Sequence, residues 1–160
     1  MTFRWKQMFR VLSALILVII AQTVIAGSPS EALQAIEDQW NAAAAKWEPE
    51  KFVPIYTEDA LFYGGRPDLY VGSTGVRDYF ASYTAVLSSV QIKFVNQHFI
   101  ELGPDAFVAQ GAANIHLRTA SGKDGDIVNR TTLVIAKRGD RWVIASHHFS
   151  DKPAAPPIPK

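Results

Sequence analysis

The chain contains no cysteine in its 160 residues. That excludes disulfide bonds, thiol nucleophiles and thiolate metal sites. It does not argue against export, because a hydrophobic core can hold a domain without covalent staples. An excess of positive charge is also missing. Of the 16 basic residues, three precede residue 27, which leaves 13 against 15 acidic residues in the remainder. No basic stripe survives to neutralise phosphates, so nucleic acid is excluded as the expected partner. Histidine is scarce, and His98, His116, His147 and His148 match no ligand spacing. Neighbours 147 and 148 would also face opposite sides of a strand. No metal and no cofactor is implied.

What is present begins with a leader. Arg4, Lys6 and Arg10 precede an apolar run at residues 11–20, broken only by Ser13, and Val24-Ile25-Ala26 offers a small-residue cleavage site. This is the pattern of a secretory signal peptide over residues 1–26. A retained anchor is the alternative, but the apolar stretch to residue 25 is short of the roughly 20 residues a spanning helix needs. The expectation is a periplasmic or secreted protein with no stable membrane insertion after cleavage. Residues 27–151 then form one domain. Residues 152–160 carry four prolines and no apolar period, which predicts a loosely held extended tail.

Within the domain, Ser28-Pro29-Ser30-Glu31 reads as a capping box with proline at the first helical position. Leu33, Ile36, Trp40 and Ala43 or Ala44 follow at helical spacing, with Glu37, Asp38 and Asn41 on the wet side. Pro49 begins a second, short helix. A strand at residues 60–63, a Gly-Gly-Arg-Pro-Asp loop and a third helix carrying Val76, Tyr79, Phe80, Tyr83 and Leu87 come next. From Val90 the apolar period becomes two. Four strands result, and the last two meet at Gly139-Asp140. Helices first and a long twisting sheet afterwards is an α+β arrangement. A bent antiparallel sheet closed by three helices leaves a cone with a mouth, the default place for a small ligand.

The order of a helix with Trp40, Tyr56-Thr57-Glu58-Asp59-Ala60, Val71-Gly72, Tyr79-Phe80, Arg130-x-Thr132, Trp142-x-Ile144 and His148-x-Ser150 resembles the SnoaL-like branch of the nuclear transport factor 2-like superfamily. It is also similar to the association domain of calmodulin-dependent kinase II. The resemblance spans roughly residues 30–151. It implies a cone-shaped α+β roll, commonly a homodimer packed through the outer sheet face. It also implies a range of chemistries from isomerases, cyclases and dehydratases to members with no known reaction.

Strict alternation from Trp142 places Ile144, Ser146, His148 and Ser150 on one face and His147 on the other. On that reading His148 points into the cone as a proton carrier, or as a hydrogen-bonded core residue. Arg130 would clamp an anion if the hairpin register turns it inward, and a bulge or a longer loop would place it with His148. Asp59 can serve as a base, or simply cap a turn. Trp40, Tyr56, Phe62 and Tyr83 are the aromatics expected to reach a ligand, with Ser150 beside them. Three readings follow. The first is an exported binding protein for a small, partly apolar, potentially anionic molecule. The second is a small cofactor-independent isomerase, cyclase or lyase using His148 as acid or base. The third is a dimerisation module with a vestigial pocket.

Overall fold

A computed structural model describes residues 27–154. Residues 1–26, where a leader is expected, and residues 155–160 of the expected tail lie outside the described residues. Helix α1, Pro29–Ala44, starts as the capping pattern predicts. The Glu31 N–H donates to Ser28 Oγ at 3.3 Å, and the Ser28 N–H donates to Glu31 Oε2 at 2.7 Å. The stripe from Leu33 through Ile36 and Trp40 to Ala44 is buried.

The supposed wet side of α1 departs from expectation. Glu37 is 4 % exposed, and its carboxylate accepts from the Phe94 N–H at 2.7 Å and from Lys93 Nζ at 2.8 Å. Asn41 brackets Ile92, donating to its carbonyl at 2.9 Å and accepting from its N–H at 2.8 Å. The strand so gripped, β3 (Leu87–Gly103), is an edge of the sheet. Edge strands carry a row of unpaired backbone groups, and α1 supplies partners for part of that row. Helical periodicity shows which positions face away from the apolar stripe. It cannot show that a sheet edge will come to meet them.

After α1 the chain reverses at Trp47, whose φ is 47° and whose indole N–H donates to the Phe80 carbonyl at 3.0 Å. Helix α2, Pro49–Phe52, and a 3₁₀ turn, Val53–Ile55, lead into β1, Tyr56–Tyr63. A loop and the short β2, Tyr70–Val71, precede α3, Gly72–Ala81. Gly72 has φ +70°, and a Cβ there would sit 2.9 Å from the Glu58 carbonyl oxygen, so only glycine fits.

Strands β3, β4 (Ala106–Thr119), β5 (Asp124–Arg138) and β6 (Arg141–Asp151) form the antiparallel meander. The sheet order is β2-β1-β6-β5-β4-β3. One feature corrects the antiparallel reading: β1 lies parallel to β6, so the sheet is mixed. A helix and four strands separate the two in sequence, and a long connection is what parallel pairing needs. Several bulges interrupt the ladders, and two of them matter for the interior. On β3, Asn96 and Gln97 together oppose Gly111 of β4, where a Cβ would lie 2.6 Å from the Asn96 carbonyl oxygen. On β6, Ala145 is the extra residue between Ile144, which pairs with Ile135, and Ser146, which pairs with Val134.

The three helices cover the inner face. Phe52 and Phe80 stack with centroids 3.8 Å apart and planes at 7°. Trp40, Trp47, Tyr56 and Phe62 surround that pair edge-on or tilted. Side chains therefore fill most of the cone, and the open space lies toward its mouth.

Candidate functional site

The bulge at Ala145 decides which residues reach the interior. Before it, Ile144 faces inward; after it, the inward positions are His147, Phe149 and Asp151. His147 is 1 % exposed, whereas His148 is exposed on the outer face with its ring 6.1 Å from that of Tyr63. The expectation that His148 points into the cone is overturned. One extra residue in a strand inverts every side chain beyond it.

Arg130 goes outward with it. The Gly139-Asp140 loop has two residues, which turns Arg130 outward, and the Ala145 bulge sets it opposite Ser150, to whose hydroxyl it donates at 3.1 Å. Arg130, Ser150 and His148 therefore share the outer face. The inward members of β5 are instead Asn129 and Thr131, both buried. A readable trace of this was present in the sequence. Trp142 and Phe149 have opposite parity, so both can be packed inside only if an extra residue lies between them.

A polar group sits deep in the core. The Tyr56 hydroxyl lies 3.0 Å from His147 Nδ1, and Thr131 Oγ1 lies 3.5 Å from His147 Nε2. Burial, aided by the neighbouring charge of His148, pushes the His147 pKa down to about 3. Burial also raises that of Tyr56 well above its ordinary value. The ring is thus a neutral imidazole and the phenol keeps its proton. A neutral imidazole has one N–H and one lone pair, so it donates to one hydroxyl and accepts from the other. Phe62, Phe94 and Phe149 pack around the ring at 5.3 to 6.5 Å.

A separate hollow opens between the helices and the sheet. It encloses about 180 Å³ and is walled by Trp40, Trp47, Tyr79, Phe80, Tyr83 and Phe149. Leu87, Ile115 and Ile127 close the sheet side, and the backbone of Gly65 forms part of the rim. The rim loop is pinned. Gly65 N–H donates to the Tyr79 hydroxyl at 3.0 Å, and the Arg66 guanidinium lies 4.3 Å over the Tyr83 ring. Larger crevices exist elsewhere. One of about 470 Å³ is bordered mainly by polar and charged groups, among them Glu58, Asp59, Arg138 and Arg141. The 180 Å³ hollow has a mainly aromatic wall.

Two polar residues line the hollow among these rings, Asn129 and Asp151. They face each other directly across the β5–β6 ladder. Asn129 is 6 % exposed, and its Oδ1 has no hydrogen-bond partner. Trp40 and Tyr83 stand where a ligand would be met. Tyr56 belongs to the buried His147 group, and Phe62 is fully enclosed core. His147 and Asp151 are the residues that unbroken alternation misses, whereas Asn129 and Thr131 follow from alternation along β5 once the loop has two residues.

The outer face carries its own pattern. Leu61, Ser146, Val134, Val108 and Ile100 are cross-strand partners in one row over five strands. Leu61 and Ile100 are 46 % and 62 % exposed. The adjacent row is polar, running from Tyr63 through His148, Thr132 and Gln110 to His98.

Comparison with known proteins agrees with this architecture. Among curated protein sequences none matches. A structure from Xanthomonas campestris, assigned as a calcium/calmodulin-dependent protein kinase II association domain, superposes with a TM-score of 0.72 at 25% identity, covering 82% of this chain and 93% of its own. One from Novosphingobium aromaticivorans, assigned as an aromatic ring hydroxylase, gives 0.67 at 18% identity over 81% of this chain and 94% of its own. A nuclear transport factor 2-like superfamily protein from Salmonella enterica gives 0.63 at 15% identity over 81% and 100%. At those lower identities the likeness is one of fold, the cone built from three helices and a curved sheet. The family model for the SnoaL-like domain matches residues 33–156, and the chain therefore belongs to the SnoaL-like domain family.

Proposed function

We propose that the protein binds a small, mainly apolar molecule of about one ring's size in the aromatic hollow at the mouth of the cone. The observation that carries this is the hollow itself: about 180 Å³ with six aromatic side chains in its wall. An apolar cavity of about 150 Å³ is enough to take up benzene. The potentially anionic ligand considered from sequence rested on an inward Arg130. With Arg130 outside and Asp151 on the rim, a neutral molecule suits the hollow better. Trp40 and Trp47 in the wall make their fluorescence a direct reporter. Titration of the full-length protein with toluene or indole should quench it saturably. Unchanged emission up to the solubility limit of both probes would remove this reading.

Export and pairing belong to the same proposal. The basic start, apolar run and small-residue site of the leader support delivery to the periplasm or medium. Protein recovered from its native host should have an intact mass lacking residues 1–26; a full-length mass would argue for an anchor. The apolar row on the outer face supports a homodimer with the two sheets back to back. Val134→Lys places a charge in the middle of that row. Sedimentation should then shift from dimer to monomer, and a wild-type monomer would refute the pairing.

The enzymatic reading has less support. His148 is on the outer face, and the Tyr56–His147 pair is enclosed by aromatic rings with no place in the wall of the hollow. Structures assigned as a scytalone dehydratase and a hexachlorocyclohexane dehydrochlorinase share this fold at 10% and 15% identity. That keeps isomerase or lyase chemistry open as an alternative without supplying a group to perform it.

A further inference from the structure

We propose that the hollow selects a phenol-like ligand, a small planar ring carrying a neutral hydroxyl, and rejects carboxylates. This deepens the binding reading above and rests on it. The wall is aromatic, which suits a ring, but two of its residues are polar acceptors standing side by side. Asn129 and Asp151 are direct cross-strand partners on the inner face, and both line the hollow. Asn129 is 6 % exposed and its Oδ1 has no partner in the protein. A buried, unpaired amide oxygen costs free energy until something donates to it. The carboxylate of Asp151 also only accepts. A ligand satisfying this side of the wall must therefore present a donor.

A hydroxyl donates, so it can answer Asn129 Oδ1. A carbonyl or ether oxygen only accepts and cannot. A carboxylate would bring a second negative charge beside Asp151 and leave Asn129 Oδ1 unpaired. A plain hydrocarbon fits the rings but leaves Asn129 Oδ1 unpaired. A phenol-class molecule combines the ring and the hydroxyl.

The test compares three probes of one shape, p-cresol, toluene and p-toluate, binding to the full-length protein by tryptophan fluorescence and by calorimetry. The expected result is p-cresol about tenfold tighter than toluene, the size of one net hydrogen bond, with p-toluate weakest. Asn129→Leu, close in size but unable to accept, should bring p-cresol and toluene to equal affinity. Asp151→Asn, at the exposed rim, should improve p-toluate relative to toluene. If the leucine variant does not fold, as judged by circular dichroism, the asparagine variant and the wild-type ranking still decide the matter. Toluene binding as tightly as p-cresol to the wild type would overturn the hydroxyl selection and leave the hollow as a general apolar site. No binding of any probe would overturn the hollow reading itself, and the selection with it.

Discussion

Phe80→Ala is expected to destabilise the protein by about 3–5 kcal/mol, the usual cost of emptying a buried phenylalanine site. Phe80 is 1 % exposed and stacks on Phe52 at 3.8 Å. It also meets Trp40 and Trp47 nearly edge-on, at 6.0 and 5.8 Å. Its neighbours come from α1, α2, β1 and the turn at Trp47, so no single element can move in to refill the space. Its backbone carbonyl anchors the Trp47 indole as well. Because Phe80 forms part of the hollow's wall, the void left behind would join the hollow. Urea denaturation should show the loss, and the variant should take up a two-ring probe such as naphthalene better than the wild type does. A loss below about 1 kcal/mol would mean that the packing around Phe80 is looser than its stacking implies.

The second large effect is acid sensitivity centred on His147. Its folded pKa is about 3, against an ordinary value of 6.5. The folded ring stays neutral while the unfolded ring takes up a proton below about 6.5, so the unfolded state binds more protons. Stability must then fall as pH drops, by about 1.4 kcal/mol per unit between the two values. At pH 5 the expected loss relative to pH 7 is about 2 kcal/mol. His147→Gln keeps a side chain able to reach the Tyr56 and Thr131 hydroxyls but cannot titrate. Denaturant midpoints measured from pH 7 down to pH 5 should fall steeply in the wild type and flatten in the variant. Equal slopes in both proteins would place the acid sensitivity elsewhere. The window ends at pH 5 because unfolded carboxylates begin to titrate below it.

The His147 group also shows where sequence reasoning stops. The β6 strand is unmistakable from Trp142, Val143, Ile144 and Phe149. Which of two adjacent histidines is enclosed depends on one surplus residue, Ala145, and alanine carries no signal for a bulge. Arg130 is the same case on the facing strand. Its outward direction follows from the two-residue loop, but its partners, Ser150 alongside it and His148 on the same face, follow from the bulge. Glu37 and Asn41 are a different kind of miss. Their polarity is legible, but their job, completing the hydrogen bonds of the β3 edge, needs a strand more than 50 residues away to arrive.

The amino-acid sequence by itself determined the element types and their order, the aromatic character of the interior and the family. These rest on local periodicity, capping and turn chemistry, which neighbouring residues settle among themselves. Only the tertiary structure decided that His147 rather than His148 lies inside. It alone set Asn129 beside Asp151 in the wall of the hollow, and it alone showed that aromatic rings occupy most of the cone. A strand's two faces are distinguished by parity alone. Parity across a bulge is set by what packs against each face, and that is known only once the whole sheet and its helices have come together.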